Sequence, residues 1–262
     1  MHAQRPPRIP VPARLPGAAP WPAAGGTPAP ARAPLLTRRY ELTWLSPSGG
    51  IEATSRIAPA TPEFEETSAA FARGTLIAAE HGSVAIEDLQ PGMQVQTAEG
   101  RMETVVWIGS ISLFAPRLLP EVQPVTLTRI TAEAFGMGRP MPDVVLGPRA
   151  RLLLRDSRCR ATVGAELAYA PARSFVDGIS VIEVKPVAAV TMFHIALRRH
   201  ATLRAAGLEV EAYHPGMPRG ELADTQMAGA FLSLFPHLSS LAEFGPLAHA
   251  RMTASEVLSM TA

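Results

Sequence analysis

Few side chains in this 262-residue chain are of types that do covalent or metal chemistry. The sole cysteine, Cys159, stands between Arg158 and Arg160, whose charges favour a thiolate, so a reactive thiol is one reading. The plainer reading is an incidental loop cysteine, and with no second cysteine neither an internal disulfide nor a cysteine-based zinc site can form. His194, His200 and His214 carry imidazoles, but their spacings of six and fourteen residues match no common zinc pattern, so no metal is expected. Thr67 and Ser68 offer hydroxyls that would be nucleophiles only beside a well-placed base, and simple solubility of a strand-entry loop accounts for them. No Gly-x-Ser-x-Gly, His-Glu-x-x-His, phosphate-loop or dinucleotide pattern occurs, and Gly136-Met137-Gly138 reads only as a turn.

The elements that would have to position such groups are written most clearly between Ala70 and Gly109. The run begins Ala70-Phe71-Ala72-Arg73-Gly74-Thr75, continues through Ile86-Glu87-Asp88-Leu89-Gln90-Pro91-Gly92-Met93-Gln94-Val95, and closes on Trp107-Ile108-Gly109. This order resembles the opening of a self-processing Hedgehog/intein (Hint) domain of the bacterial type. Those domains begin with Cys-Phe-x-x-Gly-Thr, and here alanine holds the cysteine position. Downstream, Pro142-Asp143-Val144-Val145-Leu146-Gly147-Pro148-Arg149-Ala150-Arg151 fits the pattern Asp-Leu-Leu-Val-Ser-Pro-x-His-Arg. In that register Gly147 replaces a hydroxyl and Ala150 replaces the histidine that would act as general acid. Val190-Thr191-Met192-Phe193-His194-Ile195 and Glu211-Ala212-Tyr213-His214-Pro215-Gly216 follow in the family's order, so the resemblance spans about residues 66 to 216.

The resemblance implies a chain that has lost its reaction. A methyl group cannot attack a carbonyl or leave as a thiolate, so Ala70 cannot form the thioester. Groups acting as one catalytic unit lose most of the rate when any one is removed, and Ala70, Gly147 and Ala150 mark three lost together. Thr75, Asp143 and His194 would be remnants of the old site, and Ala70, Gly147, Ala150 and His194 would line a small apolar pocket. The function expected is a structural or protein-interaction module with no cofactor. The alternatives are residual self-processing near Ala69-Ala70 and an assembly factor of a phage-like or secreted particle.

The patterning predicts a mainly β fold, a Hint-like domain of short meandering strands with a helical C-terminal tail. Arg38 to Leu45 and Ile51 to Ile57 read as strands around the turn-rich Ser46-Pro47-Ser48-Gly49-Gly50. Further strands are expected at Pro124 to Ile130, Val144 to Leu146, Leu152 to Arg155, Ile179 to Lys185, Thr191 to Leu197 and Thr202 to Arg204. Helical spacing runs from Leu222 to Phe235, and Thr253-Ala254-Ser255-Glu256 is a capping-box signal. The divisions are a disordered Pro/Arg-rich segment 1–36, a hairpin extension 37–65, the Hint-like domain 66–216 and the tail 217–262.

Bulk properties narrow the classes of partner. The net charge is +1, which supplies no field for nucleic acid or anionic membrane, and no apolar run is long enough to span a bilayer. Residues 1–36 hold ten prolines, four arginines and no acid, and lack the apolar core of a secretory signal, so the cytoplasm is the expected location. The tail's apolar side chains, Phe231, Leu234 and Phe235 among them, need a surface to cover. They are expected either to fold back on the β domain or to form the contact for a protein partner or an oligomer.

Overall fold

In RRYELTWL every second side chain is large and apolar, which commits the segment to a half-buried strand. In the computed structural model, which describes residues 36–113, 125–216 and 225–261, this is β1 (Thr37–Leu45), with Tyr40, Leu42 and Trp44 buried and Arg39 and Glu41 exposed. The disorder expected for 1–36 falls, except for Leu36, outside the described residues. The Ser46–Gly50 turn returns the chain into β2 (Ile51–Pro59), two residues longer than expected, paired antiparallel from Thr37↔Pro59 to Leu45↔Ile51. The hairpin docks along a central strand through pairs such as Leu42↔Gly109 and Trp44↔Trp107.

A short helix α1 (Pro62–Glu66), with proline in its first turn, then buries Phe64 and delivers the chain to β3 (Phe71–Ala72). There follow β4 (Leu76–Ala79), β5 (Gly82–Ala85), β6 (Gln94–Gln96) and the long β7 (Met102–Leu113). β7 organises the molecule: its first residues pair with β6, and the rest pair with β1 on one side and β13 (Val190–Leu197) on the other. On the β13 side lie β3, β9 (Val144–Leu146), β8 (Leu127–Ile130) and β12 (Val181–Val184). On the β6 side lie β4, β14 (Thr202–Ala205), β15 (Leu208–Glu211), β10 (Arg151–Arg155), β11 (Leu167–Pro171) and β16 (Ala250–Arg251). The helices after α1 are α2 (Cys159–Val163), α3 (Thr225–Leu232) and α4 (Ala254–Thr261).

The mainly β expectation holds, and the six expected strands of the domain are present with ends shifted by up to about three residues. β11 and β15 were not expected. β11 reads LAYAP, poor in β-branched residues, and takes its strand form from pairing with β10. β15 is reached from β14 through Ala206 and Gly207, both at positive φ (47° and 84°). A tight hairpin needs that geometry, but Ala-Gly is not the Asn-Gly signal that announces it in a sequence.

Two large apolar clusters fill the interior of the described residues, with a smaller third around Cys159, Ala168, Ala170, Met252 and Val257. One lies within the β domain around Phe71, Ile77, Val95, Val105, Leu146 and Val210. The other joins hairpin, sheet and tail, with Trp107 at its centre: its indole N–H donates to the Leu234 carbonyl (2.8 Å) and its ring lies 4.7 Å from that of Phe235. Phe235 stacks on Tyr213 (5.2 Å, 12°), and Phe231 meets Phe64 edge-on at 5.4 Å. Of the placements expected for the tail, folding back on the β domain is the one found for Phe231, Leu234 and Phe235, which are at most 1% exposed within their own chain. Leu222, where the helix was expected to begin, is outside the described residues. The capping box forms as expected, Glu256 N–H donating to Thr253 Oγ1 (3.3 Å) and Thr253 N–H to the Glu256 carboxylate (2.6 Å). No helix among the described residues is long and apolar enough to cross a membrane.

Candidate functional site

β3 is squeezed between β13 and β9, with Phe71 opposite both Phe193 and Leu146. This fixes the backbone around the Ala69–Ala70 bond. Ala70 N–H donates to the Phe193 carbonyl (2.9 Å), and its own carbonyl accepts from Gly147 N–H (2.8 Å). Ala150 N–H then donates to the Gly147 carbonyl (3.2 Å), so the three positions picked out in sequence meet although 80 residues separate the first from the last. A side chain at Gly147 would collide with the Ala69 carbonyl, which explains why the backbone closes so tightly there.

His194 reaches the same region from β13. Its Nδ1 lies 2.8 Å from the Glu66 carbonyl, which can only accept, so Nδ1 carries the proton and the neutral ring keeps its lone pair on Nε2. Nε2 is buried without a hydrogen-bond partner, between the rings of Tyr213 and Phe71.

The expected apolar pocket is not opened by these side chains: Ala70, Gly147, Ala150 and His194 are all buried, and the Ala69 carbonyl lies against Gly147. A cavity of about 420 Å³ opens beside them, bordered by Glu65, Glu66, Ala69, Pro148, Arg149 and Arg173, and none of the four lines it.

The other residues singled out from sequence hold structure. Thr75 Oγ1 donates to the Ala72 carbonyl (2.7 Å) and closes the turn after β3. The Asp143 carboxylate accepts from Arg129 and from Ala132 N–H, and Arg129 first, then that amide, holds it below the usual range; it clamps β8 to β9. Cys159 is fully buried, and burial followed by the nearby Asp156 charge raises its thiol, while Arg158 and Arg160 pair with Asp156 and Glu166. This is the setting of an inert thiol.

His200 and His214 do come together, with rings 5.0 Å apart, but backbone groups occupy their nitrogens. His200 accepts from Ala248 N–H (2.9 Å) and donates to the Ala212 carbonyl (3.2 Å). His214 accepts from Gly216 N–H and donates to the Gly245 carbonyl, each at 2.9 Å. Both rings thus serve as neutral braces for the chain leading to the tail.

Sequence reasoning missed the charged network beneath this site. Glu66, the last residue of α1, takes Arg151 at 2.7 Å and Arg149 at 3.2 Å. Arg151 also reaches Glu211 (3.3 Å), which takes Arg251 of the tail at 2.8 Å. Burial alone would raise the Glu66 carboxyl, but the guanidinium of Arg151 outweighs it and holds Glu66 low; at the deeper Glu211 burial prevails over both arginines and raises it. The signal lay in the motif strings, where Arg151 and Glu211 were noted for position only.

The buried histidines give a sign to the pH dependence of stability. Burial lowers His194 to about 4, and burial with the neighbouring His214 lowers His200 to about 3, from an ordinary 6.5. Both are neutral in the fold, so stability is full above about 6.5 and is lost as the unfolded chain takes up protons and pH falls towards the folded values. Glu211 and Glu65, raised by burial, pull the other way, while His214 and His237, lowered by burial, add to the histidine side. The melting temperature is expected to fall between pH 7 and pH 4.5, with a shallower slope in His200→Gln; a flat or rising profile would contradict these ring assignments.

Comparison with known proteins places the geometry. Residues 69–217 match the family model described as the Hint domain. A bacterial intein-like domain from Clostridium thermocellum aligns at 13% identity over 55% of this chain and 99% of its own, with a TM-score of 0.40. The MchDnaB-1 intein aligns at 13% identity over 55% and 100%, with a TM-score of 0.32. No curated protein matches. With more than half its length matched by the family model, beginning one residue before Ala70, the chain belongs to the Hint domain family.

Proposed function

We propose that this chain is a Hint domain that no longer processes itself and serves as a structural or protein-interaction module. The observation that carries this is the convergence of Ala70, Gly147 and Ala150 on one backbone junction with no nucleophile and no acid among them. The peptide entering the junction supports the same reading. It is folded into the core, with Thr67 and Ser68 fully buried and the Glu66 carbonyl held by His194. A self-processing domain must present that bond for attack, whereas here both flanking segments are anchored on the sheet.

The rival reading, residual cleavage with Ser68 as nucleophile, lacks a base hydrogen-bonded to Ser68 among the described residues. Thr67 Oγ1 donates to the Phe64 carbonyl (2.7 Å), so the Ser68 hydroxyl, 3.1 Å from Thr67 Oγ1, spends its proton on a neighbouring hydroxyl. The particle-assembly reading rested on the N-terminal arm, which is outside the described residues, and on tail side chains that are buried.

Incubation of the full-length chain with dithiothreitol or hydroxylamine, followed by gel and intact-mass measurement, should leave one species of 27.9 kDa. Time-dependent fragments of 69 and 193 residues, from a cut between Ala69 and Ala70, would overturn the proposal.

A further inference from the structure

β2 is the one long strand in the hairpin with an open side. Among the described residues it pairs only with β1, and Ile51, Glu52, Ala53, Ser55, Arg56 and Ile57 are all exposed. Ile51 and Ile57 leave 51% and 73% of their surface in water, unusual for isoleucine on a regular strand. Nine residues of flat edge with no bulge, no lysine and a proline only at the far end invite another strand to pair.

The hydrogen-bonding phase of that edge follows from the ends of the hairpin. Ser46 N–H donates to the Gly50 carbonyl (2.8 Å) and Ala60 N–H to the Leu36 carbonyl (2.7 Å), both in the register of the β1–β2 ladder. A strand residue turns its N–H and C=O to the same side and its neighbours turn theirs to the other. The even-numbered residues of β2 therefore bond to β1, and Ile51, Ala53, Ser55 and Ile57 point their backbone groups outward.

The sequence of this edge, Ile51-Glu52-Ala53-Thr54-Ser55-Arg56-Ile57, is complementary to itself when read in reverse. With two copies antiparallel about a twofold axis at Thr54, Ile51 faces Ile57 of the second copy and Ala53 faces Ser55 of the second copy. These are the outward-pointing residues, so the backbone phase is satisfied in the same register. Glu52 then lies opposite Arg56 of the second copy in a non-hydrogen-bonded pair, where side chains approach most closely. Neither Glu52 nor Arg56 has an ion pair among the described residues of its own chain. Sliding the register by two residues in either direction keeps the backbone bonds but separates both the charges and the isoleucines.

We propose that the outer edge of β2 is a homodimer interface, joining the hairpins of two copies of this chain into one continuous sheet with Thr54 on the twofold axis. The contact is isologous, as a closed dimer requires, and it leaves the Ala70 junction untouched, so it stands or falls independently of whether the domain processes itself. Edge pairing buries little area, so the dimer is weak and depends on protein concentration.

The test is sedimentation velocity of the full-length chain from low to high micromolar concentration, on the wild type and three variants. Ser55→Pro removes an outward N–H without touching the β1 ladder, whereas Glu52→Arg and Arg56→Glu each set like charges opposite one another at both ends of the contact. Wild type should move from one-chain to two-chain mass as concentration rises. Each variant should dimerise at least about tenfold more weakly, since cross-strand charge pairs change sign twice per dimer. Mixing Glu52→Arg with Arg56→Glu should restore the dimer, because each copy then meets its complement. The charge variants alter exposed side chains only and should melt like the wild type, so they decide the matter even if Ser55→Pro folds poorly. A one-chain mass at every concentration, or a dimer that the charge variants leave unchanged, would overturn the proposal.

Discussion

Serine at both Phe231 and Phe235 should lower the melting temperature by about 10 to 25 °C. Each ring is fully buried, and truncating a buried phenylalanine costs roughly 3 to 5 kcal/mol, with an added cost for hydroxyls left in an apolar site. The two rings are 5.6 Å apart in one aromatic cluster, Phe231 meeting Phe64 and Phe235 meeting Trp107 and Tyr213, so the losses overlap and about 4 to 8 kcal/mol is expected in total. That is a large part of the stability of an ordinary domain. Thermal unfolding followed by circular dichroism reads it directly. A shift of only a few degrees would mean that α3 does not form part of the core.

Arg151→Met should be nearly as severe, but its penalty should depend on pH. Arg151 is the link between Glu66 and Glu211, and its loss leaves two buried carboxylates with one guanidinium contact fewer each. Breaking a buried ion pair from one side costs about 3 to 5 kcal/mol. Arg149 still touches Glu66 and Arg251 still holds Glu211, which places the expected cost at the lower end. Loss of Arg151 moves both carboxyls up relative to the wild type, so the penalty is full at neutral pH and shrinks as acid protonates them. The gap in melting temperature between wild type and variant should therefore narrow from pH 7 to pH 5, the histidine effect being common to both. A gap that widens over that range would show that Arg151 acts through packing alone.

Much of the Hint scaffold was legible because its signals are local. The Gly-Thr and Pro-Gly turns, the alternation in RRYELTWL and the Thr253 to Glu256 cap each specify conformation over a few residues, and each is found where expected. β15 was not legible because its hairpin uses Ala206 in a left-handed conformation, and β11 because pairing with β10 overrides its weak propensity. The junction of Ala70, Gly147 and Ala150 was expected from motif order, whereas its interior was not. Nothing in the sequence says that the Ala69 carbonyl closes against Gly147 or that the Glu66 carbonyl meets His194, since that depends on where α1 lands.

The sequence by itself determined which chemistry is missing. A methyl at position 70 and another at position 150 exclude a thiolate and an imidazole whatever the fold, because reactivity belongs to atoms. Tertiary structure decided everything that depends on distance between remote residues. It turned the tail's apolar face inward onto Trp107, closed Glu66, Arg151, Glu211 and Arg251 into one buried network, and left the outer edge of β2 without a partner among the described residues. Burial, pairing and the depression of a histidine arise from neighbours brought together across separations such as the 128 positions between Glu66 and His194, and local patterns carry no record of such contacts.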